Sequence, residues 1–362
     1  MTSASTTSSI VGSTVGSCNI SLLASNDLVQ WDRYVERHPD GTFFHLSGWG
    51  EAIRNAYGYE PLYLAAWREG ELVGLVLLID VRSPLLGRAL ISTGFTIGGG
   101  PIGDDSEVVE ALALAAASEG TARNVQYVEF RSDVAPLTGW EVKTDKYVNF
   151  KIPIAADKVE NLKTIAKRRR AEIRKAVEAE KAGDLRVRVE IDPDAFYALY
   201  AKSLKALGTP IFPKRFIHEP IQNFGDATEI SFIDYRGETV SALLSFYFKD
   251  SVLPYYIGAS PMAREARATD YICWSQMRRA ADRGIAFLDF GRSKIGSGSY
   301  AYKKHWGAKP EPISYHYKLI AARSTPDINP NNPKFKYFSK AWTHLPLPVA
   351  NALGPILAPN FP

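Results

Sequence analysis

The sequence predicts a mixed α/β protein, α+β in its sheets, built from two diverged copies of one unit. Three observations carry that expectation. Both halves run in the same order: helix, helix, hairpin, strand, glycine-containing loop, helix, strand. Each half sets short alternating or apolar runs of strand length beside amphipathic helical stretches. The 362 residues suffice for about two domains at ~150 residues each.

The chain opens on MTSASTTSSIVGSTVGS, without basic residues at its start or a sustained apolar run. Residues 1–20 are therefore expected to form a Ser/Thr-rich disordered tail, not a secretory signal. The first unit is expected over 21–150. Asn26-Asp27 caps a helix to about His38, with Leu28, Trp31, Tyr34 and Val35 on one face, and Pro39-Asp40-Gly41 breaks it. A second helix covers Gly48 to Tyr57. Leu62–Trp67 and Leu72–Val81 flank a Glu-Gly turn and read as a hairpin. The strand Ala89–Phe95 leads into Gly98-Gly99-Gly100, whose backbone freedom would permit close approach to a ligand. A helix over Ser106–Glu119 and a buried strand over Val125–Arg131 complete the unit.

The second unit is expected over 151–325. A charged helix runs from about Asp157 to Lys181, followed by a strand, Leu185–Ile191. Asp192-Pro193 starts a helix to about Leu207, and Lys214–Asn223 forms another. Thr228–Tyr235 and Thr239–Phe248 flank Arg236-Gly237-Glu238 as a second hairpin. Val252–Ile257, a helix over Arg267–Arg283, the strand Ala286–Phe290 and a last strand Ile313–Ile320 follow. The stretch 326–362, rich in Pro and Asn, is expected to wrap the surface.

Composition excludes several classes. With 43 Lys+Arg against 39 Asp+Glu, the net charge of +4 is too small for polyanion binding by bulk charge, so basic function must reside in local clusters. The only two cysteines, Cys18 and Cys273, exclude a disulfide framework and a cysteine zinc site. Cys273 lies in an apolar helical stretch and reads as core. The six histidines make no metal pair, and neither a metal nor a bound cofactor is expected. No nucleophile elbow, Walker loop or dinucleotide fingerprint is present. No apolar run approaches the ~18 residues of a membrane span, which sets the expectation of a cytoplasmic protein with no transmembrane segment.

The chemistry-bearing stretch is Ala286–Ala308, AFLDFGRSKIGSGSYAYKKHWGA. A strand ends at Asp289, and Arg292 and Lys294 lie on the loop that follows. Lys303, Lys304 and Trp306 occupy a short amphipathic segment beyond it. Cations gathered at a strand end suit an anionic ligand or a developing oxyanion. A polar turn with solvated basic residues is the alternative reading. The most basic window, Lys163–Lys175, places Lys163, Lys167, Arg170 and Arg174 along one helical face suited to phosphates. Tyr255 and Tyr256 end a strand and should point to opposite faces, one lining a cleft while the other packs.

The run Trp274–Gly307, with its DFGRSKxGxGxYxxKKxWG core, resembles the FemAB-like proteins associated with exosortase and PEP-CTERM exopolysaccharide loci. Phe43-Phe44-His45-Leu46, Gly48-Trp49, Ser245–Phe248, Val252–Tyr256 and Asn329–Lys334 extend the resemblance over nearly the whole chain after the tail. It implies two tandem GNAT-like acyltransferase domains and transfer of an acyl or aminoacyl group. The donor would be an acyl-CoA or an aminoacyl-tRNA, used as a substrate. The acceptor would be a small-molecule or lipid-linked envelope or exopolysaccharide precursor, with tRNA and peripheral contact with the inner membrane as further associations. The resemblance places Lys303 near the reacting carbonyl, a tyrosine (Tyr255 or Tyr256) on the preceding strand, and Arg170, Arg174 and Lys175 at substrate phosphates. No Arg/Gln-x-x-Gly-x-Gly/Ala loop precedes the Arg267 helix. The expected mechanism is direct attack of an amine or hydroxyl on the donor carbonyl. Lys303 and Arg292 would stabilise negative charge, and Asp289 would orient them or accept a proton. Lys294, Lys304 and Trp306 are further substrate-binding candidates. The competing expectation is a non-catalytic module that holds a phosphate-bearing or polysaccharide ligand.

Overall fold

The computed structural model describes residues 13–15, 18–24, 28–84, 87–96, 98–326 and 333–360. These form two compact units: the described residues of Met1–Arg54, Tyr59–Lys143 and Ser314–Thr325, and those of Asn55–Gly58, Thr144–Ile313 and Pro326–Pro362. The boundary thus falls at Lys143/Thr144, a few residues before 150. The segment Ser314–Thr325 returns to the first unit.

In the first unit β1 (Ser13–Val15) pairs antiparallel with β2 (Cys18–Leu22), so part of the expected tail is strand. Residues 1–12 and the expected cap at Asn26-Asp27 lie outside the described residues. In α1 (Leu28–Arg37) Trp31, Tyr34 and Val35 are buried, and α2 (Ser47–Tyr57) buries Trp49 and Ile53. β3 (Glu60–Arg68) and β4 (Glu71–Ser83) form the expected hairpin. Its two-residue turn has Glu69 at φ +52° and Gly70 at φ +86°, a geometry that matches the right-handed twist of the strands. The run Leu72–Val81 of β4 is buried throughout, as a strand covered on both faces must be. β5 (Gly87–Ser92), β6 (Ile102–Gly103), α3 (Ser106–Ala122) and β7 (Tyr127–Arg131) follow. Asp105 caps α3 by accepting from the Val108 N–H at 3.0 Å. The sheet order is β1-β2-β3-β4-β5-β7, antiparallel except for the parallel pair β5–β7.

The second unit begins in β8 (Glu141–Pro153), a strand the sequence reading did not anticipate. The single basic helix expected over Asp157–Lys181 is two helices, α4 (Lys158–Thr164) and α5 (Lys167–Lys181). Ile165 and Ala166 between them are extended, at ψ 138° and 142°, and Ile165 is buried in the core. Lys163 therefore lies on a different helix from Arg170 and Arg174, paired with Glu160 at 2.6 Å. β9 (Leu185–Val189), α6 (Pro193–Ala206) and α7 (Arg215–Phe224) precede the hairpin of β10 (Thr228–Tyr235) and β11 (Glu238–Phe248). This hairpin closes as the first one does, with Arg236 at φ +50° and Gly237 at φ +86°. Then come β12 (Ser251–Ala259), α8 (Ala268–Asp282), β13 (Phe287–Asp289), β14 (Ser293–Lys294) and α9 (Gly298–Lys304). The sheet order is β8-β13-β12-β11-β10-β9, with β14 also on β8 and with β12–β13 the parallel pair. Element for element, α6, α7, β10–β11, β12, α8 and β13 repeat α1, α2, β3–β4, β5, α3 and β7.

The chain leaves through β15 (Lys309–Leu319), whose Tyr315–Leu319 pair antiparallel with β7 in the first unit. The C-terminal stretch, expected as a wrapping tail, carries two helices, α10 (Pro333–His344) and α11 (Leu347–Leu357).

Candidate active site

β12 and β13 set the geometry. They pair in parallel through only Ser251↔Phe287 and Val252↔Leu288. β13 ends at Asp289, while β12 runs on to Ala259. That pairing stops there while β12 continues through Leu253–Ala259, so the two strands diverge. The β11–β12 register shifts at the same place: Leu244 faces Tyr256 and Ser245 faces Pro254, which leaves Tyr255 as the extra residue of a bulge. Pro254, which donates no hydrogen bond, immediately precedes the bulge. The bulge corrects the expectation for the two tyrosines. Their rings do not point apart but meet edge to face at 4.5 Å. Tyr256 packs further against Tyr200 at 5.3 Å and Phe212 at 5.5 Å, and burial pushes its hydroxyl well above the usual range.

The corresponding place in the first unit is closed. β5 pairs with β7 as far as Ile91↔Glu129, and then the chain turns and comes back. Gly99 pairs antiparallel with Arg131 (2.7 and 3.0 Å). The Ser92 hydroxyl locks the closure, donating to the Gly99 carbonyl and accepting from the Arg131 N–H, each at 3.1 Å. Gly98–Gly100 thus serves internal pairing, and β7 offers no open edge there.

Asp289 ends β13 opposite Lys151 of β8. Its Oδ1 accepts from the Gly291 N–H at 2.8 Å, an Asx turn, and the chain then turns at Gly291, whose φ of +67° glycine adopts without strain. This turn aims two carbonyls at one amine: Lys303 Nζ donates to Gly291 O at 2.9 Å and to Arg292 O at 2.8 Å. Burial pushes the Lys303 ammonium down to about 8, with Asp289 acting against the shift and Arg292 adding to it. Burial likewise raises the Asp289 carboxyl, and its bonds to Gly291 and Asn149 and the charges of Lys151 and Lys303 only partly compensate. Asp289 and Arg292 therefore act on Lys303 as one charged group. Lys294 is half-buried beside it in β14, and Lys304 is exposed.

Trp306 is a different matter. It is 0% exposed and packs on Phe290 at 5.3 Å, so it supports the group from the core and presents no surface to a substrate. Arg174 and Lys175 are exposed on α5, while Arg170 is half-buried with its Nε unpartnered among the described residues. Arg267, at the start of α8, is ion-paired with Glu172. The stretch before it folds on itself as a 3₁₀ turn, Pro261–Arg264.

Sequence reasoning missed the support on α5 and α8. Arg169 pairs with the buried Asp270 at 2.7 Å and lies over the Tyr302 ring at 4.8 Å. Arg169→Ala is expected to cost about 1.5–3 kcal/mol of stability, as for a lost hydrogen bond to a charged group. Arg169→Lys should recover only part of this because a lysine cannot both stack and pair as a guanidinium does. Urea unfolding of the two variants checks it. Cys273, as expected, is core: the thiol is buried and desolvation pushes it up to about 12. No group of three or more His, Cys, Asp or Glu among the described residues is placed to hold a metal ion.

Residues 166–304 match the family described as acetyltransferase (GNAT) domain. No curated protein matches the chain in sequence. Among solved structures, FemX superposes with a TM-score of 0.67 at 16% identity, over 81% of this chain and 96% of that one. A tandem GNAT protein from the clavulanic acid biosynthesis pathway gives 0.54 at 10% identity, over 86% and 100%. The C-terminal domain of a putative lysylphosphatidylglycerol synthetase from Agrobacterium fabrum gives 0.53 at 13% identity, over 81% and 92%. At these identities the likeness is one of fold. The chain has the GNAT-type acyltransferase fold in tandem, and its second unit carries the GNAT domain match.

Proposed function

We propose that the second unit transfers an acyl or aminoacyl group from an acyl-CoA or an aminoacyl-tRNA to an amine or hydroxyl of a cell-envelope or exopolysaccharide precursor. The observation that carries this reading is the divergence of β12 from β13 beyond Val252, with the Asp289–Arg292–Lys303 group at the end of β13. An extended donor with amide groups can add to β12 there as a strand would. The acceptor then attacks the donor carbonyl, the new C–N or C–O bond forms, and the thiol or tRNA hydroxyl leaves. The Lys303 ammonium, assisted by Arg292, opposes the negative charge on the carbonyl oxygen. Asp289, its carboxyl raised by burial, orients Lys303 or takes the acceptor's proton. Tyr255, re-aimed by the bulge, borders the reacting group with Tyr256 behind it. Arg170, Arg174 and Lys175, with Lys294 and Lys304, meet phosphates of donor or acceptor. No covalent enzyme intermediate is involved; Cys273, buried with a raised thiol, is a poor nucleophile. The FemAB-like resemblance, including its exosortase and PEP-CTERM branch, supports an envelope or exopolysaccharide acceptor.

A second reading is a non-catalytic module that holds a phosphate-bearing or polysaccharide ligand. One observation favours it: Lys303 is already satisfied by two backbone carbonyls, as a purely structural lysine would be. Titration of the purified protein with acetyl-CoA, longer acyl-CoAs and a charged aminoacyl-tRNA separates the two. Saturable binding of one donor class is expected. Binding of none of them, with retained affinity for a polysaccharide or nucleotide-sugar probe, would give the second reading first place.

A further inference from the structure

The C-terminal helix α11 is inverted for a surface helix. Ordinarily large apolar residues face the protein and polar ones face water. In α11 the small residues face inward: Ala350 and Gly354 are buried, and Ala358, four residues on, continues their line. Gly354 makes this seating possible, since a Cβ there would lie 2.8 Å from the Ile211 carbonyl oxygen. The large residues face out. Val349, Leu353 and Ile356 are 41%, 42% and 68% exposed at i, i+4 and i+7. Leu207, at the end of α6, is 71% exposed, and Tyr337 of α10 is 75% exposed. α6 touches both α10 and α11, and Gly208, next to Leu207, packs directly on Ser339 of α10. These apolar side chains therefore belong to one region of the second unit.

The charge that the sequence gives α10 and α11 has one sign: no charged residue occurs from Leu345 to Pro362, and no acid follows Asp327. Lys340 of α10 and Lys202 of α6 are exposed, while the one acid of α6, Asp194, lies at its start and is paired with Lys214 at 2.8 Å. Apolar residues ready to leave water beside exposed lysines match the chemistry of an anionic bilayer surface. A second copy of the chain would instead bring the same lysines face to face, as any two-fold contact must. Among the described residues no helix is long and apolar enough to cross a membrane, so this face would lie in the interface.

We propose that α11, with Leu207 and Tyr337, docks the protein on an anionic lipid bilayer, and that the α10 and α6 lysines meet the phosphates of its headgroups. The proposal stands apart from acyl transfer and fails or holds without it. The test is sedimentation of the full chain with vesicles of phosphatidylcholine alone and of phosphatidylcholine with phosphatidylglycerol. Binding to the mixed vesicles is expected, weakening as salt is raised. The double variant Leu353→Glu/Ile356→Glu should lose affinity by about tenfold or more for each residue. Lys340→Ala should lose about fivefold. All three side chains are exposed, so the unfolding midpoint should stay at the wild-type value. Three results would overturn the proposal: no vesicle binding, equal binding of the double variant, or equal affinity for neutral vesicles. A dimer that Leu353→Glu/Ile356→Glu abolishes, without vesicle binding, would assign the face to a second copy instead.

Discussion

Lys303→Ala is expected to lower turnover by about 10²–10³-fold, the loss seen when one oxyanion-hole donor is removed. Donor affinity should change little, because the charge that Lys303 opposes exists only as the carbonyl is attacked. The variant also removes the partner of two turn carbonyls, Gly291 O and Arg292 O. Lys303→Arg is the control: it keeps a cation that can reach those carbonyls but displaces its centre of charge. The pH dependence distinguishes roles for Lys303. Burial sets its ammonium at about 8. If the ammonium does the work, the wild-type rate is level below that value and falls as pH rises through it. If the neutral amine does the work as a base, the rate rises instead through the same range. Because arginine stays protonated, Lys303→Arg should lack the alkaline fall. An unchanged rate in Lys303→Ala would remove the residue from the mechanism.

Trp306→Ala should unfold the protein more readily without altering recognition. The indole is wholly buried against Phe290, with Tyr302 close by at 6.4 Å. Its removal leaves a large cavity beneath α9 and is expected to cost about 3–5 kcal/mol. Trp306→Phe, which keeps an aromatic ring in the space, should cost less and leave KM near the wild-type value. Urea midpoints together with KM for both variants decide the matter. A raised KM with unchanged stability would return Trp306 to the substrate surface.

The contrast between Trp306 and Lys303 shows what the sequence discloses. Both hairpins were legible because two apolar runs flanking a short glycine-containing turn are local signals; Thr228–Tyr235 was placed to the residue. The strand end at Asp289 was legible from its short apolar run, but the hydrogen bond that Asp289 accepts from the Gly291 N–H was not. β8 was not legible. Lys143, Asp145 and Lys146 break its pattern, and only Val148, Phe150 and Ile152 alternate inward. Yet β8 carries Asn149 and Lys151, which act on Asp289. The break at Ile165 left no mark, because an isoleucine there fits a helix face as well as an extended link. In Arg168-Arg169-Arg170 nothing local tells which arginine turns inward. Asp270, about a hundred residues later, selects Arg169. The bulge at Tyr255 likewise belongs to pairing across two strands, with Pro254 its one local sign.

β12 runs on past the end of its pairing with β13, whereas Gly99 closes the equivalent place in the first unit by pairing with Arg131, so a donor is expected to bind in the second unit alone. Calorimetric stoichiometry of the donor that binds tests this most directly, with the wild-type chain set beside a variant that adds bulk on β12 beyond its pairing with β13, Ile257→Trp. The expected result is a single site per chain that Ile257→Trp abolishes. Two equivalent sites, or one site indifferent to Ile257→Trp, would contradict it.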